Sequence, residues 1–246
     1  LNYSIKTKQW QAFTSIYHSV KKLALRKSTL ILLPDGRNLH PYTFLQEGLS
    51  LLQFPFQYLP AVQEEFITAL LKEIRLQQHF PGMQEVSSLY FGGGTPSLLE
   101  NEELNNLIHE VRAINSLTNA ELTLEANPDD LTEEKLEGWK ASGINRLSIG
   151  VQSFFEEDLR WMNRAHSADQ SISGLERALR YFDNITIDLI YGTPGLTNEK
   201  WQQNVQQAIA LGIPHLSCYA LTVEPKTPLD KLIRTAQYEN VSSDQQ

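Results

Sequence analysis

The sequence predicts an α/β fold, a parallel sheet curled into an open or partial barrel. Three observations predict it. Short apolar or alternating strand patterns take turns with helical patterns along most of the chain, the spacing of β-strand–α-helix units. The first of these strands, 88–91, empties into Gly92-Gly93-Gly94-Thr95-Pro96. Each of the next three carries polar residues at or near its carboxyl end. Right-handed crossovers gather such ends on one rim, where folds of this kind keep their sites. Five visible strands are too few for a closed eight-stranded barrel.

Residues 63–78 read as the first helix, and the 88–91 strand follows. Glycine lets backbone approach a ligand without a Cβ in the way and tolerates positive φ, so the triplet can build a binding floor of N–H and C=O groups. A tight strand-to-helix turn uses the same residues and stays open as a reading here. So does a phosphate-binding loop, although no lysine follows the glycines as in a P-loop. After a helix over 98–114, the alternating strand from Glu121 delivers Glu125 and Asn127 to its end. Asp129, Asp130, Glu133 and Glu134 read as the first turn of a helix over 132–142, where carboxylates suit the dipole.

Strand 145–152 ends on Gln152, and helices over 156–163 and 168–182 follow. Strand 184–192 brings Asp188 and then Tyr191, a helix covers 199–211, and strand 215–221 closes the series. His166 reads as a solvated loop histidine, His215 as a residue at the rim, and Cys218 as a buried strand residue. Tyr191 and Tyr219 are candidates to line the barrel mouth. Trp139, Trp161 and Trp201 read as helix packing.

At 246 residues and 41% hydrophobic, the chain can bury one domain's core. A net charge of −8 argues against nucleic acid as a partner, because phosphate backbone demands a basic face. The apolar patch at 30–33 is too short for a membrane span or a signal core. One cysteine and no disulfide framework suit a reducing cytoplasm.

Six segments now stand in order: YFGGGTPSLL, LEANPDDLT, GINRLSIGVQSF, MNRAH, IDLIYGTPG and LSCYALTVEPKTPL. Together they resemble the radical S-adenosylmethionine (SAM) family of oxygen-independent coproporphyrinogen III oxidases, and within it the HemW-type heme chaperones. The resemblance runs from about residue 63 onward. It implies a partial (β/α)6 TIM-like radical SAM barrel, with a [4Fe-4S] cluster on three cysteines spaced C-x-x-x-C-x-x-C and SAM on the fourth iron. It implies heme or a tetrapyrrole as ligand, together with an electron donor and a heme-accepting protein. It places Gly93, Gly94 and Thr95 against the methionine part of SAM. Glu125, Gln152, Arg164 and Asp188 match positions that contact SAM or a neighbouring ligand. Their chemistry suits this: carboxylates can meet the amino group or ribose hydroxyls, Gln152 both donates and accepts, and Arg164 can fork onto a carboxylate. For the intact form the resemblance implies a HemW-like heme chaperone; the alternatives are an oxygen-independent coproporphyrinogen III oxidase or, for the chain as written, a non-functional fragment lacking the cluster.

The cluster is the difficulty. The chain's one cysteine, Cys218, lies in the last strand, far from the loop after the first strand where the resemblance puts the thiolates. That place, 39–58, has no clean period, almost no charge, and prolines that break any helix. Codon degeneracy suggests why. Joining the last two bases of each codon to the first base of the next permits cysteine at the slots of Leu45, Leu49 and Leu52. Over residues 35–60 the shifted frame allows MAGIYIHIPFCKKACHYCNFHFSTSL. The expectation is that residues 35–62 are the cluster segment read in the wrong frame and residues 1–34 are translated upstream DNA. Residues 1–34 carry Lys and Arg but no acid; the alternative is a basic arm for an acidic partner. The expected division is an irregular, poorly ordered 1–62, a radical SAM core at 63–228, and the truncated start of a C-terminal region at 229–246. Without a first strand, the 88–91 strand is expected to keep an unpaired edge.

Overall fold

The computed structural model describes residues 29–34, 60–76, 86–93, 95–223 and 228–238. In chain order the elements are β1 (Thr29–Pro34), α1 (Pro60–Leu76), β2 (Val86–Gly92), α2 (Asn101–Ile114), β3 (Glu121–Ala126), α3 (Glu133–Ser142), β4 (Arg146–Gln152), α4 (Glu156–Trp161), α5 (Ala168–Ala178), β5 (Ile185–Tyr191), α6 (Asn198–Ala210), β6 (His215–Ala220) and α7 (Pro228–Arg234). Single 3-10 turns at Pro96–Leu98 and Pro128–Asp130 follow β2 and β3.

One six-stranded sheet runs β1-β2-β3-β4-β5-β6. From β2 to β6 every neighbour is parallel and consecutive in sequence. Winding always in one sense leaves no point where strand order reverses, so the sheet curls into a half-barrel instead of becoming a doubly wound sheet. The expected fold class is therefore the one observed.

The expected free edge is corrected. β1 lies antiparallel along β2, with Thr29 opposite Gly92 and Leu32 opposite Leu89. A strand edge with unpaired N–H and C=O groups is a template for any extended segment, and TLILLP is an apolar one. Its direction sets it apart from the β/α series. The remainder of the expectation for residues 1–60 lies outside the described residues, apart from Pro60 at the start of α1.

Period-2 alternation gives the sheet two faces. Leu89, Phe91, Leu122, Leu124, Leu147, Ile149, Ile187 and Leu189 are buried in the main core, together with Leu104, Leu107 and Ile108 of α2, Leu136 and Trp139 of α3, and Leu175 of α5. Cutting one such leucine to alanine costs about 2–5 kcal/mol. The alternate positions, Tyr90, Thr123, Glu125, Arg146, Ser148, Thr186 and Asp188, form the opposite, polar face of the half-barrel. Near its amino end Arg146 ties three strands, donating to Glu121 Oε1 at 3.2 Å and Thr186 Oγ1 at 2.9 Å.

Caps set the helix boundaries. Thr132 accepts from the Lys135 N–H and Gly143, at φ 97°, ends α3. A reciprocal Ser167–Gln170 box starts α5, and a Glu100–Glu103 box starts α2 after the Pro96 turn. The expected 98–114 helix is thus split in two.

Candidate functional site

The carboxyl ends of β2 to β5 bring most of the expected residues together. At the end of β2 the chain must pass close to β3. A Cβ on Gly92 would stand 2.5 Å from Tyr90 Cε1 and 2.7 Å from Glu125 Cδ, so any larger residue would displace the Tyr90 ring or the Glu125 carboxylate. Gly93 follows at φ 78°, and its N–H donates to Glu125 Oε2 at 3.0 Å. The Tyr90 hydroxyl donates to Glu125 Oε1 at 2.8 Å. Burial and the facing carboxylate hold the Tyr90 phenol well above its ordinary range, so it stays a donor.

Asp188 sits two strands away. Burial pushes its carboxyl up to about 6, and the charge of Glu125 adds to this. A hydrogen bond with Ser217, its register partner on β6, and the cations of Arg164 and Arg146 pull the other way. Arg164 enters from the loop after α4. Its Nη2 donates to Asn127 Oδ1 at 2.9 Å and to the Gly150 carbonyl at 3.3 Å. Burial lowers its pKa against the pull of Asp129 and Asp188. Its Nε is buried and has no hydrogen-bond partner among the described residues, a costly state for a donor unless a ligand supplies an acceptor.

Gln152 has the most unusual backbone. It is buried at φ 69°, a conformation non-glycine residues avoid. The β4–β5 register slips between Ile149 and Gln152, and the Ser153 N–H closes back on the Val151 carbonyl at 2.9 Å. Gln152 is thus the centre of a γ-turn of the rare positive-φ kind. Its amide folds back over β4: a Cβ on Gly150 would lie 2.8 Å from Gln152 Nε2 and 3.4 Å from Arg164 Nη2.

Four of the seven expected ligand residues, Gly93, Glu125, Gln152 and Arg164, thus gather at the carboxyl ends of β2 to β4, and a fifth, Asp188, faces Glu125 and Arg164 from the middle of β5. Thr95 stands nearby as the cap of the Pro96–Leu98 turn, its side chain making no capping bond. Gly94 lies outside the described residues, as do the Leu45, Leu49 and Leu52 slots.

Other expectations change. His166 is not solvated: it is 3% exposed, and its Nε2 bonds the Val151 carbonyl at 3.1 Å. Burial, then the Arg164 cation, push its pKa below the ordinary range and keep it neutral. Cys218 is exposed, because β6 is the edge strand of the sheet among the described residues. His215 opens β6 and so belongs to the amino-terminal rim, opposite the site. Tyr191 packs on Trp201 at 5.4 Å instead of facing the mouth. The acidic cluster divides: Asp130 accepts from the Ser97 hydroxyl at 2.7 Å and Lys135 Nζ at 3.3 Å, while Glu133 and Glu134 occupy the first turn of α3.

Tyr90, Gly150 and the support beneath Gln152 were not anticipated. An isolated glycine inside a strand pattern, as in SIGVQ, is a signal for a bulge and could have found Gly150.

A family model described as the radical SAM superfamily matches residues 61–237. The chain belongs to that superfamily. The heme chaperone HemW of Bacillus subtilis is 33% identical over 211 residues, covering 85% of this chain and 54% of the relative. HemW of Escherichia coli is 37% identical over 169 residues, covering 67% of this chain and 44% of the relative. Among solved structures, the Escherichia coli coproporphyrinogen III oxidase HemN, a radical SAM enzyme, superposes with a TM-score of 0.65 at 30% identity, covering 74% of this chain and 42% of that one. The chain spans about half the length of these HemW relatives.

Radical SAM membership implies SAM and a [4Fe-4S] cluster as the family's cofactors. The rim fits SAM: two carboxylates, an amide and a buried guanidinium nitrogen without an acceptor among the described residues suit a zwitterion carrying a sulfonium. The cluster does not fit. It needs three thiolates, the whole chain has one cysteine, and that one is exposed on β6. Among the described residues no group of His, Cys, Asp or Glu is placed to hold a metal ion.

Proposed function

We propose that this chain is the SAM-binding barrel of a HemW-like heme chaperone. The observation that carries the reading is the gathering of Gly93, Glu125, Gln152 and Arg164 at the carboxyl ends of β2 to β4, with Asp188 facing them from mid β5, in a chain 33% identical to a heme chaperone. SAM, when bound, supplies a sulfonium cation, an amino-carboxylate head and a nucleoside. Gly93, Gly94 and Thr95 line the methionine part. Glu125 and Asp188 set negative charge toward the cation and the ribose hydroxyls. Arg164 offers its free Nε–H to a carboxylate, and Gln152 donates and accepts at the nucleoside side.

The proposal extends to heme as cargo and, with a cysteine-bearing segment in place, to an electron donor and a heme-accepting protein in the cytoplasm. Among the described residues no helix is long and apolar enough to cross a membrane. We read residues 63–228 as the core, 229–246 as the start of a further region, and 35–62 as the cluster segment in the wrong frame. The family match beginning at residue 61 and the reversed direction of β1 support the amino-terminal boundary of this reading; the match itself runs on to residue 237.

Likeness to the coproporphyrinogen oxidase, at TM-score 0.65, favours a second reading as a porphyrin-forming enzyme. Two measurements separate the readings. Titration with heme, followed in the Soret band, is expected to saturate at one heme per chain, with no decarboxylation of coproporphyrinogen by a cysteine-restored variant. Turnover without heme binding overturns the chaperone assignment.

A further inference from the structure

Beneath Gln152 lies a cluster of buried polar side chains that hydrogen-bond one another and the backbone on either side of it. Ser153, Asp158, His166, Thr193 and Asn204 are each under 5% exposed and come from the β4–α4 connection, α4, the α4–α5 connection, the β5–α6 connection and α6. Polar groups so deep must be mutually satisfied, and these are. The Ser153 hydroxyl donates to Asp158 Oδ2 at 2.7 Å and accepts from Asn204 Nδ2 at 3.2 Å and the Phe155 N–H at 3.1 Å. Asn204 Oδ1 accepts from the Phe154 N–H at 2.7 Å, and Thr193 donates to Asp158 Oδ1 at 3.4 Å. His166 Nε2 and the Ser153 N–H both reach the Val151 carbonyl.

These bonds bracket one residue. Val151 is fixed on its amino side, and Ser153 and Phe154 on its carboxyl side, yet Gln152 itself is held at φ 69°. A side chain at positive φ persists only where its surroundings over-determine it. We propose that Asn204, Ser153, Asp158 and His166 are positioning residues, a rigid frame that forces the Gln152 γ-turn and so lays the Gln152 amide over Gly150 for ligand recognition. The ligand half of this inference rests on the proposed SAM site; the backbone half does not.

The frame is tested first without ligand, by comparing Gln152→Gly with Gln152→Ala. Only glycine takes positive φ freely, so with the frame intact the glycine variant melts higher, by about 2 °C or more. Adding Asn204→Ala lets the turn relax, and the difference vanishes or reverses. The same ordering with and without Asn204→Ala overturns the frame. SAM affinity, by equilibrium dialysis, is the second readout. Asn204→Ala weakens SAM about tenfold in the parent, the size of a lost polar contact, but less than twofold when Gln152→Ala is already present. Equal weakening in both backgrounds marks a merely structural role and overturns the ligand half. His166→Gln, which keeps an N–H for the Val151 carbonyl, retains affinity where His166→Leu loses it. If Asn204→Ala does not fold, this His166 pair carries the same two cycles. A parent chain that binds no SAM sinks the proposed function, and the melting comparison still decides the frame.

Discussion

The Tyr90 hydroxyl holds Glu125 Oε1 at 2.8 Å while the Gly93 N–H holds Oε2, so one carboxylate joins the glycine floor of β2 to the end of β3. Removing the phenol oxygen leaves Oε1 without that donor. Tyr90→Phe is expected to cost about 1 kcal/mol of stability in urea unfolding and to weaken SAM a few-fold, because Glu125 is free to turn. Unchanged stability and unchanged affinity together would show that the contact does not organise the site.

Gly150 matters for what it leaves empty. Gly150→Ala puts a methyl 2.8 Å from the Gln152 amide nitrogen and near Arg164. A flexible side-chain end can move away, so the cost in stability is small, about 1 kcal/mol or less. The cost in SAM affinity is about tenfold, since the amide is displaced from its place beside Arg164. Circular dichroism checks that the fold persists, and dialysis reads the affinity.

The half-barrel was legible because it follows from local pattern. Strand and helix alternate, capping residues such as Thr132 and Ser167 mark the starts, and the one-way winding follows from short parallel crossovers. The positions of Glu125 and Gln152 at strand ends were legible from the strand patterns, whereas Asp188 falls in the middle of β5. The positive φ of Gln152 was not legible, because we trace it to Asn204, which bonds the Phe154 N–H from 50 residues further along the chain. His166 was misread for the same reason: its partner is the Val151 carbonyl, which no side-chain pattern reveals. β1 was missed because its pairing fills an edge and obeys no β/α spacing.

Asp188 makes the site pH-dependent. Its carboxyl is raised from 3.8 to about 6 by burial, with Glu125 adding to the shift and Ser217, Arg164 and Arg146 opposing it. A raised acid is neutral in the folded protein over a range where the unfolded chain has already ionised. The stability it contributes is therefore full below 3.8 and is lost as pH rises through about 6. SAM, a cation beside this carboxylate, shows the opposite trend and binds more tightly as pH rises through about 6. Asp188→Asn is expected to flatten both profiles between pH 5 and 7, roughly the span of the titration. Profiles of the variant that track the parent would assign the titration to another group.

The missing thiolates predict a chemical result. Anaerobic reconstitution of the 246-residue chain with iron and sulfide is expected to give no stable cluster absorbance, and Cys218→Ser to change nothing. Replacing residues 35–60 by the shifted-frame segment with its three cysteines is expected to restore about four irons per chain. Sequencing the gene across codons 35–62 is the companion check. A single uninterrupted frame there would end the frame-shift explanation.

The most direct measurement is equilibrium dialysis of the chain against labelled SAM, beside Glu125→Ala and Gln152→Ala. The account predicts one saturable SAM per parent chain and at least about tenfold weaker binding for each variant, with S-adenosylhomocysteine, which lacks the sulfonium charge, binding less tightly than SAM. A parent chain that binds no SAM, or variants that bind it as tightly as the parent, would contradict the claim that these strand ends form the SAM site.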